Sequence, residues 1–411
     1  MAGLSLSLLL VVGPLAWVTL HDQPYVASTA RSARAQPQPA LATEALARLQ
    51  RAVAGRDGRG VRALAPRGDD RAAGRLAAVV ANARSLDVRD FTLRYVDEEG
   101  AVAPDGTWSA AVDTTWRLAG FDPAPADAEV TVRFRVQDGH AAVVALGGGD
   151  RRTPVWLSGP ARVLRGPGTL VLVADPPGAT APGAVRRRAE EYAARARAAV
   201  PVVHRVLPGW RPRLVVEVPA TVAGLDRALD AGPGEYAGIA AVTTTPDGST
   251  APGAPAHVFV NPRVFGGLRP EGAQVVMSHE TVHVATDAAL STMPLWLLEG
   301  FADYVALRDV HLPLRTTAGQ VIRQVRRDGP PRALPDRHDF GTAAPHLGAA
   351  YEAAWLACRV LADDGGEQAL VSFYRRVDAG TDLDAALRGS YGLDLRAFTA
   401  QWRARLARVA S

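Results

Sequence analysis

The stretch from Met277 to Ala306, MSHETVHVATDAALSTMPLWLLEGFADYVA, decides how the rest of the chain is interpreted. It contains His-Glu-x-x-His at 279–283, and a second glutamate, Glu299, follows in Trp-Leu-Leu-Glu-Gly. With nine histidines in 411 residues, chance placement produces the first pattern in fewer than about one chain in a hundred. The pattern therefore indicates chemistry rather than coincidence.

Helical geometry explains why the spacing matters. Pro270 is suited to a first helical turn, and the apolar residues that follow it predict a helix through His283. Histidines four residues apart lie on one face, so both rings can bind one Zn²⁺ at about 2.0–2.1 Å. Glu280 is rotated by about 100° from His279. It is therefore predicted not as a ligand but as the general base that acts on a water held by the metal.

A catalytic zinc needs a third protein ligand and one open position. Glu299, on a second predicted helix that starts near Pro294, is the candidate for this ligand. Asp303 lies one turn later and is predicted to accept the far ring N–H of one of the ligating histidines. Gly300 inside that helix costs about 1 kcal/mol relative to alanine. We expect close approach of the two helices around the metal to be the reason.

These motifs resemble those of the gluzincin metallopeptidases, the superfamily of thermolysin and aminopeptidase N. The resemblance is strongest to the small bacterial "peptidase MA-like" proteins. It implies one Zn²⁺ per chain bound by His279, His283 and Glu299, with Glu280 as the base and Asp303 behind a histidine. It also implies a zinc-dependent hydrolase that cleaves a peptide or protein substrate.

The same resemblance assigns substrate binding to the strand before the metal helix, which would pair its edge with an extended peptide. This strand comprises Ala256, His257, Val258, Phe259, Val260 and Asn261. The Gly-x-Met-x-Asn stretch that aminopeptidases use to hold a free amino terminus is absent upstream. An endopeptidase is therefore predicted, with an aminopeptidase and a catalytically silent, zinc-holding binding protein of the cell envelope as alternatives.

A hydrogen-bond donor for the transition-state oxyanion is expected on a later helix. Tyr351, in HLGAAYEAAWLACRVL, is the first candidate, and His346 and Tyr304 are the others. The other histidines have no partner at ligand spacing and are predicted to be surface or internally satisfied residues.

The chain as a whole is predicted to be α+β. Residues 41–152 contain two helical patterns followed by alternating strands, with Asp138-Gly139 as a hairpin turn. We expect a small cone-like domain here, similar to the nuclear-transport-factor-like or cystatin-like domains. Residues 153–411 are predicted to form a zincin-like metallopeptidase domain with a mixed sheet, an active-site helix and a helical C-terminal part.

Residues 1–40 are interpreted as a signal peptide or membrane anchor plus linker. Leu4 to Leu20 carries no charge over a length between a signal-peptide core and a bilayer span. An extracytoplasmic protein is therefore predicted, secreted or attached to the membrane by this segment, with a buried core helix as the alternative.

The basic character of the chain does not favour nucleic-acid binding. All 46 basic residues are arginine, yet the net charge is only +4 and the arginines are scattered. The single cysteine, Cys358, lies in an apolar helical pattern and is predicted to be a buried core residue.

Overall fold

The computed structural model describes residues 36–176, 178, 182–342 and 344–411. The apolar segment from Leu4 to Leu20, predicted as a signal or anchor, lies outside the described residues. Among the residues that are described, no helix combines the length and the apolar character needed to cross a membrane.

The first part of the chain folds as the sequence predicted, with helices before an antiparallel sheet. It contains α1 (Pro39–Ala54), a 3-10 turn (Gly60–Leu64), α2 (Asp70–Leu86), β1 (Val88–Glu99), β2 (Thr107–Leu118), β3 (Ala126–Gln137) and β4 (His140–Leu146). The strands pair in chain order, each antiparallel to the next. The predicted turn at Asp138-Gly139 is confirmed: both residues have positive φ, and Gln137 pairs with His140 across a two-residue loop.

A second, mixed sheet follows a 3-10 turn at Val155–Leu157. Its elements, with the helices between them, are β5 (Ala161–Gly166), β6 (Thr169–Ala174), α3 (Pro182–Val206), β7 (Leu214–Val218), α4 (Val222–Leu229), β8 (Ala241–Thr244) and β9 (His257–Val260). The strand order is β5-β6-β7-β9-β8. Strands β6, β7 and β9 run parallel, whereas β5 and β8 pair antiparallel to their neighbours at the two edges.

The two faces of the second sheet pack against different parts of the chain, because successive side chains of a strand point to opposite faces. One face, which includes Val171, Val216 and Val258, packs with α3 and with the helix that carries the His-Glu-x-x-His motif. The other face, which includes Leu172 and Phe259, belongs to the same hydrophobic core as the first sheet. The first sheet and one face of the second sheet therefore share one continuous hydrophobic core across the boundary near residue 152.

The remainder of the described chain is helical. It contains α5 (Pro262–Gly266), α6 (Pro270–Ala285), a 3-10 turn (Ala288–Leu290), α7 (Leu295–Leu307), α8 (Leu314–Thr317), α9 (Gly319–Asp328), α10 (Leu347–Gly365), α11 (Glu367–Asp378), α12 (Leu383–Tyr391) and α13 (Leu395–Ala410). A separate core of Leu, Val, Phe and Trp side chains fills this helical part. Cys358 is fully buried in it, as the sequence predicted. The protein is thus an α+β protein.

Candidate metal centre

Helix α6 presents its two motif histidines from a buried face. Pro270 occupies the first turn, as predicted, and the helix continues without a break to Ala285. His279 and His283 are 9% and 6% exposed, and their rings meet edge to face with centroids 4.6 Å apart. Two imidazoles that face each other at this depth need a shared proton or a shared cation between them.

Glu299 closes a triangle of ligand atoms with these rings. The Nε2 atoms of His279 and His283 are 2.9 Å apart, and Glu299 Oε2 lies 3.1 Å and 3.3 Å from them. Tetrahedral coordination at about 2.0–2.1 Å puts neighbouring ligand atoms about 3.3 Å apart. The three side chains therefore fit a zinc ion with little movement, and they are the one such group in the described part of the chain.

Asp303 fixes the orientation of one ligand. Its Oδ1 lies 2.8 Å from His279 Nδ1, so this nitrogen carries the proton and donates it to the carboxylate. Once Nε2 of His279 loses its own proton, its lone pair would point to the position that a cation would occupy. Asp303 and Glu299 lie one turn apart on α7, which explains how a single helix supplies both a ligand and the partner of another.

Charge and burial shift the pKa values of this cluster in opposite directions. Burial alone lowers the pKa of His279, but the charges and hydrogen bonds of Asp303 and Glu299 outweigh it and hold the pKa well above the ordinary 6.5. Burial alone raises the pKa of Glu299, but His283 and His279 outweigh it and hold the pKa well below its usual range. A metal ion must therefore compete with protons for this site.

Glu280 lies beside the triangle rather than in it, as the helical offset predicted. Its Oε2 accepts a hydrogen bond of 2.7 Å from Thr243 Oγ1 on strand β8. The side chain is 6% exposed. The bond leaves the second carboxylate oxygen available for a water molecule, as a general base requires.

Tyr351, on α10, faces the cluster from a third element. Its ring centroid lies 6.1 Å from that of His279, and Phe340 packs edge to face on it at 5.1 Å. Burial and the nearby charges of Glu299, Glu280 and Asp303 raise the pKa of Tyr351. The phenol therefore stays protonated at neutral pH and can donate a hydrogen bond.

Gly300 is needed for this placement, although not for the reason expected. A Cβ at position 300 would lie 2.3 Å from the carbonyl oxygen of Ala354 and 3.0 Å from Cys358 Sγ. The close approach is thus between α7 and α10, and not between the two ligand helices α6 and α7. Since Tyr351 lies one turn before Ala354, the glycine brings the tyrosine-bearing helix against the metal-ligand helix.

The site opens into a cavity of about 260 Å³. His279, Glu280, Asp303 and Tyr351 form its polar side. The other side consists of main chain and small or apolar side chains: Gly238, Ile239, Ala240, Ala241, Val275 and Val276. The segment that leads into strand β8, together with Ala241, the first residue of that strand, therefore borders the cavity at the free edge of the sheet.

The other two candidates for oxyanion stabilisation lie elsewhere. His346 is exposed at the amino end of α10, and none of the contacts in the described residues joins it to the cluster. Tyr304 donates its hydroxyl to Glu367 Oε2 at 3.2 Å, and burial together with Glu367 raises the pKa of Tyr304 to about 12. The structure thus brings Tyr351 to the site and leaves the other two outside it.

The edge-strand role predicted for residues 256–261 is wrong. Strand β9, whose residues are His257, Val258, Phe259 and Val260, lies between β7 and β8 in the sheet. Its backbone groups are therefore already paired, and all four side chains are buried. Ala256 precedes the strand, and Asn261 caps α5 by accepting from the amides of Arg263 and Val264. The free edge belongs to β8, four residues that the sequence did not mark as a strand.

A second buried cluster escaped the sequence analysis. His257 donates through Nδ1 to Glu217 Oε1 at 2.7 Å and through Nε2 to Asp122 Oδ1 at 2.9 Å. Burial alone lowers the pKa of His257, but the charges and hydrogen bonds of the two acids outweigh it and raise the pKa to about 10. The available signal was a charged residue within an apolar strand, Glu217 in LVVEV, since buried parallel strands are otherwise nearly continuous in apolar residues.

No family model, curated protein or solved structure matches this chain.

Proposed function

We propose that the protein is a zinc-dependent peptidase of the gluzincin type, with residues 153–411 as its zincin-like domain. The observation that carries the proposal is the convergence of His279, His283 and Glu299 beside a Glu280 that is held in place but is not a ligand. Buried imidazoles and carboxylates at these separations match the donor set of catalytic zinc sites, which use three protein ligands.

In the proposed reaction, zinc and the side chains around its site make separate contributions. A zinc ion held by His279, His283 and Glu299 would supply the polarisation of the scissile carbonyl and would lower the pKa of a water molecule to about 7. Glu280 accepts the proton of this water molecule and then delivers it to the leaving amine. Thr243 keeps the carboxylate turned toward the cavity throughout, since it holds one of the two oxygens.

Tyr351 stabilises the charge that develops on the substrate carbonyl oxygen. A donor that is already in place and shielded from water costs no reorganisation when the charge appears. The tyrosine suits this role because its raised pKa keeps the hydroxyl proton in place beside three carboxylates. Asp303 acts through His279, whose ring it orients.

The substrate is a polypeptide in extended conformation. The edge strand β8 starts at the cavity with Ala241, so its free edge is placed to pair with a peptide in the way that sheet edges bind strands. An internal peptide bond is favoured over an amino-terminal one because the chain lacks the Gly-x-Met-x-Asn stretch. We place the enzyme outside the cytoplasm, with Leu4 to Leu20 as its export signal or anchor.

The test uses a diverse mixture of end-blocked peptides, the full chain loaded with zinc, and mass spectrometry to map the cuts. We expect internal cuts that disappear on chelation and fall about 100- to 10,000-fold in Glu280→Gln, the range that a general base contributes. The matched control is Glu271→Gln, a change of the same type in the first turn of the same helix. It should cleave as the unmodified chain does.

Intact peptides in the presence of one bound zinc per chain would contradict the proposal. That result would favour a protein that holds zinc without turnover. Cleavage only of peptides with a free amino terminus would instead indicate an aminopeptidase.

A further inference from the structure

A large groove lies on the helical part of the protein, outside the metal centre. It has a volume of about 1020 Å³ and is bordered by the start of α7, the segment from Arg332 to Arg337, and helices α12 and α13. Leu295, at its wall, precedes Glu299 by one helical turn. The groove is therefore a neighbour of the metal centre, but it shares no lining residue with the cavity described above.

The charges around the groove are not balanced locally. Its lining includes the exposed arginines Arg332, Arg337, Arg388, Arg396 and Arg403. Arg388 pairs with Asp384 at 2.8 Å and with Asp394 at 3.5 Å. In the part of the chain that the structure describes, the other four form no salt bridge.

The aspartates of the groove are already engaged by the backbone. Asp384 accepts from the amide of Leu395 and Asp394 from that of Ala397, both at 2.7 Å. Asp336 accepts from the amide of His338 at 2.8 Å. These hydrogen bonds leave the carboxylates charged, but only three aspartates line the groove against five arginines. The groove consequently presents a net positive rim.

The floor between these arginines is apolar. Leu295, Leu334, Leu383 and Leu395 are each half-buried and line the groove, and Pro294 lies among them. An inorganic anion would satisfy the rim and leave the leucines in water. A neutral peptide would cover the leucines and leave the guanidinium groups without partners.

We propose that this groove docks an acidic segment of a polypeptide that also carries apolar side chains. Carboxylates of the segment pair with Arg332, Arg337, Arg396 and Arg403, and its apolar side chains cover the leucines. The proposal does not depend on zinc or on catalysis, so it can fail or hold independently of the peptidase function.

The experiment measures binding of a fluorescein-labelled, end-blocked peptide in which glutamate and leucine alternate with glycine. The protein is the full chain carrying Glu280→Gln, so that the peptide is not cut. We expect saturable binding that is at least tenfold tighter than that of the same peptide with glutamine for glutamate, and that weakens as salt is raised.

Two double arginine-to-glutamine variants test whether the peptide binds in the groove. Arg396→Gln with Arg403→Gln removes two arginines of the rim and should weaken binding about fivefold to tenfold. Arg375→Gln with Arg408→Gln removes the same charge from exposed positions that do not line the groove, and should leave the affinity unchanged. Circular dichroism of both pairs checks that the fold is retained.

Three results would overturn the proposal. Equal binding of the glutamate and glutamine peptides would exclude recognition of acidic groups. Polyphosphate binding as tightly as the glutamate peptide would exclude a role for the leucines. A dimer that the rim variant alone dissociates, seen by light scattering, would make a second copy of the chain the occupant.

Discussion

The His257 cluster and the His279 cluster both consist of histidine and carboxylate side chains, but the ring nitrogens of the two histidines face different sets of partners. Both ring nitrogens of His257 face carboxylates, at 2.7 Å and 2.9 Å. In the other cluster Nδ1 of His279 faces Asp303, while its Nε2 faces both Glu299 Oε2 at 3.1 Å and the Nε2 of a second imidazole, His283, at 2.9 Å. The first cluster is complete within the protein, whereas in the second three ligand atoms form a triangle that a cation would complete.

This difference separates a structural role from a chemical one. A buried histidinium between two carboxylates is satisfied, and it joins Asp122 of the first half of the chain to strands β7 and β9 of the second sheet. Three lone pairs that converge on one point are satisfied only by a metal or by a proton that is readily exchanged. Burial and raised histidine pKa values are common to both, so neither property by itself indicates function.

The largest effect on stability is expected at the His257 cluster. In His257→Leu the ring is lost and Asp122 and Glu217 remain buried without a cation, which costs about 3–5 kcal/mol in the free energy of unfolding. Zinc affinity should be unchanged, because the residue is not a ligand. Urea unfolding and a zinc titration on the same variant measure the two quantities. Lost zinc binding in a folded variant would contradict the separation of roles.

The next effect in size is expected on the catalytic rate constant, kcat. Tyr351→Phe removes one hydroxyl from the wall of the cavity and should lower kcat about 100- to 1000-fold, the range for the loss of an oxyanion donor. KM and zinc content should change little. Tyr304→Phe is the matched control, since that hydroxyl is engaged by Glu367 instead. Equal losses in the two variants would argue against a specific role for Tyr351.

A smaller effect, on zinc affinity, is expected at Asp303, which orients His279. Asp303→Asn keeps the volume but removes the charge that orients His279, and should weaken zinc binding about 10- to 100-fold. Competition with a chromophoric chelator measures the change. Unaltered zinc affinity in this variant would show that His279 is held by packing alone.

The last prediction concerns pH, where the change in stability over any one pH unit is smaller than the mutational effects above. The pKa of His257 is raised from 6.5 to about 10, so its contribution to stability is complete below pH 6.5 and is lost as the pH rises through 10. Stability should fall between these values by up to about 1.4 kcal/mol per pH unit. Urea midpoints across this range, at fixed zinc, should show a steeper decline for the unmodified chain than for His257→Gln. Parallel curves would exclude a charged His257.

Local periodicity was enough to predict the helices and strands of the first half, the helix from Pro270, and the side on which Glu280 lies. The candidate ligand set was predicted because the two histidines lie at helical spacing and Glu299 follows on the next predicted helix of the same short stretch. The order of the second sheet was not predictable in this way. Whether β9 or β8 forms the edge depends on pairing between distant segments, and β8 has only four residues.

Two further features depend on contacts that local sequence does not encode. Gly300 is a helix-interior glycine whose partner, Ala354, lies on a helix that begins nearly fifty residues later. Asp122 and His257 meet across 135 positions. In both cases the residue was visible in the sequence, but its neighbour followed only from the tertiary fold.

X-ray absorption at the zinc edge tests the central claim most directly. For the full chain with one equivalent of zinc, we expect four light-atom ligands at about 2.0–2.1 Å, two of them imidazoles, and no sulfur. The same spectrum should be seen in His257→Gln and should be lost in His283→Ala. A shell of six oxygens, a zinc–sulfur distance, or a spectrum unchanged in His283→Ala would contradict the assignment of the His279 cluster as the metal centre.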